Sequence, residues 1–334
     1  MTVTTSEIHD FTNTYVLVIG DIMIDQYWFG EVKRISPEAP VPVVDLLKTE
    51  NRLGGAANVA RNLRSMGAKV EILGLAGNDN YGDEVVKLLK EESIGNDYLF
   101  LSNERRTTIK SRVMAHGQNL LRIDQEDAED LSANEWQVCK NLFDKLISIR
   151  KPDVIILQDY NKGLLTKKSI PYFISVANEN NIPTIVDPKK KNFFTYTGCT
   201  VFKPNRKEVT EALHVSGNEN LEVIHEELHK RLKNKVNFIT LGAEGIFVGT
   251  DLDKKIFSTK RRHIVDVCGA GDTVISLLAL YWTCLLYTSD AADERSSVDL
   301  GGRRIIKKKN RQKLTSTSSN NTPHNRRDNT CIRH

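Results

Sequence analysis

Short β-branched apolar runs alternate along this chain with longer stretches in which apolar residues recur at helical spacing. The runs at 16–19, 70–75, 154–157, 184–186, 200–202 and 238–241 read as buried strands. Between them, 56–66, 82–92, 133–149, 168–180, 206–213 and 221–232 carry apolar residues three and four apart, which predicts helices with one buried face. Strand and helix in alternation predict an α/β fold, a doubly wound and mostly parallel sheet flanked by helices. Its ligands belong at the carboxyl ends of the strands.

Two segments break the rhythm. Residues 29–53 hold Pro37, Pro40 and Pro42 with alternating Val41 and Val43, and 107–123 alternate in strand fashion with Lys110, Arg112 and Arg122 interspersed. Both predict a small β flap over the mouth of the sheet, of the kind that excludes water from a reacting site.

Beyond Trp282 the periodicity stops. Residues 284–334 predict a disordered basic tail rich in Ser, Thr and Asn, and stretches such as S-D-A-A-D-E-R resemble translated adaptor or vector sequence. That tail changes how the charge is read. The chain carries 47 Lys/Arg against 43 Asp/Glu, but 285–334 alone hold 11 against 5, leaving 36 basic and 38 acidic residues in 1–284. The body is therefore not basic and no nucleic-acid partner is expected. The first apolar run is too short for a signal peptide or membrane span, so the expectation is a cytoplasmic protein with no membrane contact. Cysteines 139, 199, 268, 284 and 331 form no paired metal motif, which predicts reduced thiols.

Chemistry concentrates in a few places. In D-V-C-G-A-G-D-T, the small residues Gly269, Ala270 and Gly271 precede Asp272 and an apolar helical run. Backbone amides at a helix start suit an anion, and Asp272 is either a cap complementing the helix dipole or a base beside a phosphate. Asn205, Arg206, Lys207 and Glu208 follow a strand and a proline; they read as a capping box or as a nucleotide motif in which Glu208 holds magnesium through water. Asp187 in V-D-P is a second candidate for the metal. Thr240, Gly242 and Gly245 form a hairpin turn or a nucleotide loop. Asp21, Asp25, Gly54, Gly55 and Asn58 combine carboxylates, bare backbone and an amide, a set that fits a polyol. Lys110, Arg122 and Lys162 are solvated charges or ligands of a substrate phosphate.

Taken together, the N-R-L-G-G-A-A-N-V-A stretch around Gly54 and the D-V-C-G-A-G-D stretch, in order and about two hundred residues apart, resemble the two signatures of the ribokinase-like (PfkB) carbohydrate kinases. Within that family, G-D-I-M-I-D-Q-Y-W-F-G and R-I-S-P-E-A-P-V-P-V-V are similar to the kinases of D-glycero-β-D-manno-heptose 7-phosphate. The resemblance covers about 14–283 and implies ATP and Mg²⁺ as cofactors, a small sugar phosphate as substrate, and phosphorylation of its anomeric hydroxyl on the route to ADP-heptose and lipopolysaccharide. It implies Asp272 as the base, Gly269, Ala270 and Gly271 as the anion hole, 205–208 and 240–245 at the nucleotide, and a β lid that serves as a homodimer interface. Another sugar of the same family, or sugar binding without catalysis, are the alternatives. Leu277 departs from the small residue of the second signature. The family fold continues past the helix at 283, so the expectation is a C-terminally truncated kinase domain, 1–283, before the non-native tail.

Overall fold

The computed structural model describes residues 10–259 and 269–284. The tail at 285–334 and the first half of the D-V-C-G-A-G-D stretch lie outside the described residues. The fold below is that of the compact unit within Met1–Thr283.

Seven parallel strands form the body of one sheet: β1 (Tyr15–Gly20), β4 (Lys69–Gly77), β5 (Gly95–Ser102), β8 (Val154–Gln158), β9 (Thr184–Asp187), β10 (Val201–Phe202) and β11 (Val236–Thr240). Antiparallel β12 (Ile246–Gly249) and β13 (Lys254–Phe257) extend one edge, giving the order β13-β12-β11-β10-β9-β8-β1-β4-β5. Every residue of β1, β8 and β9 is buried, as expected of strands covered by helices on both faces. The helices are α1 (Ala56–Ser65), α2 (Asn80–Glu91), α3 (Ala133–Ile149), α4 (Ser169–Glu179), α5 (Arg206–Leu213) and α6 (Leu221–Leu232), with a further helix, α7, over 270–284. Among the described residues no helix is long and apolar enough to cross a membrane. Chain order reverses between β8 and β1, and that switch point opens the crevice in which such sheets bind ligands.

Four strands make a second sheet in the order β3-β2-β6-β7: β2 (Ile22–Ile35), β3 (Pro42–Gly55), β6 (Thr108–Ala115) and β7 (Gln118–Gln125). The sequence pattern starts this flap at 29, whereas β2 begins at Ile22. The first residues of β2 and the last of β3 are buried, and an apolar run covered on both faces gives no alternation to read. β5 is missing from the strands predicted above for a related reason: most of it is only half-buried and its side chains do not alternate cleanly.

Candidate active site

Strand ends deliver the site. Asp21 follows β1, Asp159 and Tyr160 follow β8, Asp187 closes β9, and Lys203 follows β10; the three aspartates and the lysine are buried. Asp272 joins them from the first turn of α7, 7% exposed.

Both oxygens of Asp272 are held by neutral donors. Asn58 Nδ2 donates to Oδ2 at 2.6 Å, and the Tyr160 hydroxyl donates to Oδ1 at 2.9 Å. Arg61 in turn donates to Asn58 Oδ1 at 2.9 Å, fixing which way the amide points. Burial raises the Asp272 carboxyl above its ordinary value; the two donors pull against that rise, Asp187 adds to it and Lys203 opposes it. A base that is desolvated yet hydrogen-bonded in its charged form is suited to take a proton near neutral pH.

The amide cradle lies beside it. Gly269 has φ +77°, a conformation that a side chain would strain, and a Cβ there would stand 3.4 Å from Asn58 Nδ2. A Cβ on Gly271 would lie 3.9 Å from Lys203 Nζ and 4.0 Å from Asp187 Oδ2. Those two groups form a buried ion pair at 3.0 Å, and Gln158 Nε2 also donates to Asp187 Oδ2 at 3.2 Å. A charge pair thus sits directly under the helix start, where unpaired amides already favour an anion.

Asn205 and Glu208 do form a capping box: Asn205 Oδ1 accepts the Glu208 amide at 2.8 Å and Glu208 Oε2 accepts the Asn205 amide at 2.9 Å. The box leaves Glu208 Oε1 for a cation, and Lys189 Nζ occupies that place at 2.7 Å. The donor set therefore fits a hard ion held through water at Glu208, while Asp187 has one oxygen committed to Lys203 and Gln158. Among the described residues no three carboxylate, His or Cys groups gather to cage a metal, so magnesium here would depend on nucleotide phosphates and water.

The loop at 240–245 comes to the same place. Asn205 and Thr240 bridge as parallel strands, and the Thr240 amide donates to Pro204 O at 3.0 Å. Gly245, φ +119°, has Phe257 O only 2.0 Å from where a Cβ would be, while Gly242, φ +62°, faces open space. Arg206 stays at this edge through Gly217 O and Glu244. Lys207 does not: its side chain is 85% exposed and reaches Glu211 on the outer face of α5.

At the base of the second sheet, Asp25 pairs with Arg112, and a Cβ on Gly54 would meet Asp25 Oδ2 at 2.5 Å, so the glycine makes room for the carboxylate. Gly55, φ +60°, turns β3 into α1 against Asp21 O. Asn58 sits on α1 with its amide already on Asp272. Asp21 is used differently from the sugar ligand expected of it. Its carboxylate accepts the amides of Tyr160 at 2.9 Å, Lys162 at 3.0 Å and Leu164 at 3.2 Å, and burial raises its carboxyl despite them.

Lys110, Arg122 and Lys162 converge on two acids. Lys110 Nζ lies 3.2 Å from Asp124 and 3.1 Å from Glu126; Lys162 Nζ is 2.6 Å from the other oxygen of Glu126, and Arg122 Nε is 2.9 Å from Asp124. Arg122 is the most exposed of the three, on the fully exposed strand β7. Asp159, Tyr160 and Lys203 are members that sequence reasoning missed. Each follows a buried strand in a loop-like polar stretch, and only the position after a strand's carboxyl end marks them.

The profile of the pfkB family of carbohydrate kinases matches residues 13–283. Over 266 residues the chain is 40% identical to the bifunctional protein HldE of Sulfurimonas denitrificans, covering 79% of this chain and 55% of that one. It is 38% identical over 280 residues to a D-beta-D-heptose 7-phosphate kinase of Bordetella bronchiseptica, covering 83% and 86%. The chain thus spans about half the length of the bifunctional relatives it matches. Among solved structures, Escherichia coli phosphofructokinase-2 with fructose-6-phosphate matches with a TM-score of 0.65 at 18% identity, covering 81% of this chain and 86% of that one. Arabidopsis thaliana ribokinase with ribose and ATP matches at 0.61 and 17%, with 81% and 86% covered. At such identities the likeness is one of fold.

Proposed function

The chain belongs to the pfkB family of carbohydrate kinases, and from that premise we propose that it transfers the γ-phosphoryl group of ATP to the anomeric hydroxyl of D-glycero-β-D-manno-heptose 7-phosphate. The product is the 1,7-bisphosphate. The relatives named above support the substrate, and the observation that carries the chemistry is Asp272, buried beside the cradle with both oxygens held by Asn58 and Tyr160.

Asp272 takes the hydroxyl proton as the sugar oxygen bonds to the γ-phosphorus. The bond from that phosphorus to the bridging oxygen breaks, and ADP leaves with the electron pair. The amides at Gly269, Ala270 and Gly271 meet the charge on the transferring group, a stabilisation that needs no reorganisation because the backbone is already in place. Asp25, Gly54, Gly55 and Asn58 orient the sugar, and Lys110 and Lys162, with Arg122 at the rim, receive its phosphate. Residues 205–208 and 240–245 flank the nucleotide. Glu208, through water, and Asp187 as a second carboxylate would hold a magnesium ion, which would supply neutralisation of phosphate charge. The second sheet acts as a lid. Its exposed Ile35, Val41, Leu46, Leu47, Leu121 and Ile123 support a homodimer through it. A cytoplasmic location belongs to the same reading, since the donor is ATP.

The test is sugar-dependent ADP release with Mg²⁺ and heptose 7-phosphate, on this chain and on Asp272→Asn. Turnover should fall by roughly 10² to 10⁴ fold in the variant, the usual contribution of a positioned base. Equal turnover in both removes Asp272 from the mechanism. Turnover with fructose 6-phosphate but not with the heptose replaces the substrate.

A further inference from the structure

We infer that Tyr160 is the positioning residue of the base: its phenol, set in place by the Asp21 clamp on the loop after β8, holds the Asp272 carboxylate in the orientation from which it takes the sugar's proton. The inference rests on Asp272 being the base, as proposed above.

Three observations carry it. First, the contact is specific. An acid at a helix start needs only solvent or the helix amides, yet Asp272 Oδ1 receives a phenol from the far side of the crevice at 2.9 Å while Asn58 holds Oδ2. Two donors from two elements stop the carboxylate from rotating. Second, the donor is permanent. Burial, with Asp272 next to it, pushes the Tyr160 phenol far above its ordinary value, so its proton remains in place at every working pH. Third, the loop that carries Tyr160 is fixed at nearly every residue. Asp21 accepts three of its amides, Asp159 Oδ1 accepts the Asn161 amide at 2.7 Å, and Arg105 donates to Lys162 O at 3.1 Å. Asn161 is held at φ +56°, a left-handed conformation that persists only where its surroundings enforce it.

Among the described residues the charged groups that bear on Asp272 are Asp187 from β9, Lys203 after β10, and Arg61 on α1 acting through Asn58. Tyr160 itself lies 5.6 Å under the Lys189 ammonium, which pairs with Glu208. The phenol therefore stands between the nucleotide motif and the base.

Tyr160→Phe keeps the ring and removes one hydroxyl. The expected result is kcat lower by about 10 to 100 fold, the size of a hydrogen bond to a charged group, with the KM for sugar phosphate within about two fold. The acid limb of the kcat profile should move to higher pH, because the lost donor favoured the charged carboxylate; loss of packing alone would leave that limb in place. The Asp272 carboxyl carbon, assigned by its disappearance in Asp272→Asn, should show the same displacement by NMR titration without any turnover. An unmoved titration in Tyr160→Phe overturns the inference. A displaced titration in a protein with no sugar-dependent turnover keeps the Tyr160 contact and removes the kinase reading. Asp21→Asn combined with Tyr160→Phe should be no slower than Tyr160→Phe alone; additive losses would overturn the part assigned to the clamp.

Discussion

Around Asp272 a charge is held by neutral donors in a buried place, whereas between the second sheet and the loop after β8 charges hold one another near solvent. Asn58 and Tyr160 keep the base still and cannot trade it for another partner without moving the loop after β8. Lys110 and Lys162, by contrast, share Glu126, and a phosphate can replace that carboxylate oxygen for oxygen. Under the proposed function the difference divides labour: the first arrangement would set the chemistry and answer to pH, and the second would set affinity and answer to salt.

The comparison breaks most sharply at the cations. Lys110→Met and Lys162→Met should each raise the KM for sugar phosphate by about 10 to 100 fold and leave kcat nearly unchanged, as expected when a charged hydrogen bond to a bound phosphate is lost. Steady-state kinetics on the two variants check this, and an unchanged KM takes the 7-phosphate away from these cations.

The buried side is sharpened by Asp159, fully buried, bonded to Tyr196 at 2.7 Å, and raised to about 6 by burial and then by Asp21 nearby. A carboxyl whose folded value lies above its unfolded one favours the protonated form in the native state. Its contribution is therefore present below the unfolded value of 3.8 and lost as pH rises toward about 6. Asp159→Asn should be more stable than the parent above pH 6, by roughly 1 to 3 kcal/mol, and equal to it at low pH. Urea unfolding at several pH values reads the difference; parallel curves would show that Asp159 is charged without penalty.

The smallest effect is that of salt. Raising ionic strength from about 0.05 to 0.5 M should increase the KM for sugar phosphate a few fold through screening at the half-buried cations, while the acid limb of kcat stays where it is. A limb that moves with salt would mean that Asp272 is as open to solvent as the cations are.

Much of this was legible in the residues. Strands β1, β4, β8, β9, β10 and β11, and helices α1 to α6, follow from β-branched runs and helical spacing, because burial on both faces writes itself into composition. Asp272 and its glycines were legible because close backbone approach to an anion needs small residues together. Asp21 was legible as important but not in its use. A loop acid reads as facing solvent or ligand, and only the return of the chain at 160–164 supplies the three amides that occupy it. Tyr160 was marked only by its place after a strand's carboxyl end. D-Y-N-K-G reads as a polar turn, and its partner stands 112 residues away.

One feature of the chain's path has a mechanical meaning. β2 leaves the body directly after Asp21, and β3 returns through Gly54 and Gly55 straight into α1, with no linker at either joint. Each strand is 14 residues, a rigid arm of about 45 Å. The base of the arm lies beside Asp25 and Gly54, where the sugar is proposed to sit, and the arm carries exposed Ile35, Val41 and Leu46 toward its tip. A rotation of about 10° at that base would sweep the tip by about 8 Å. A small adjustment to fit one hydroxyl at the base would thereby be amplified into a displacement of several ångströms at the tip.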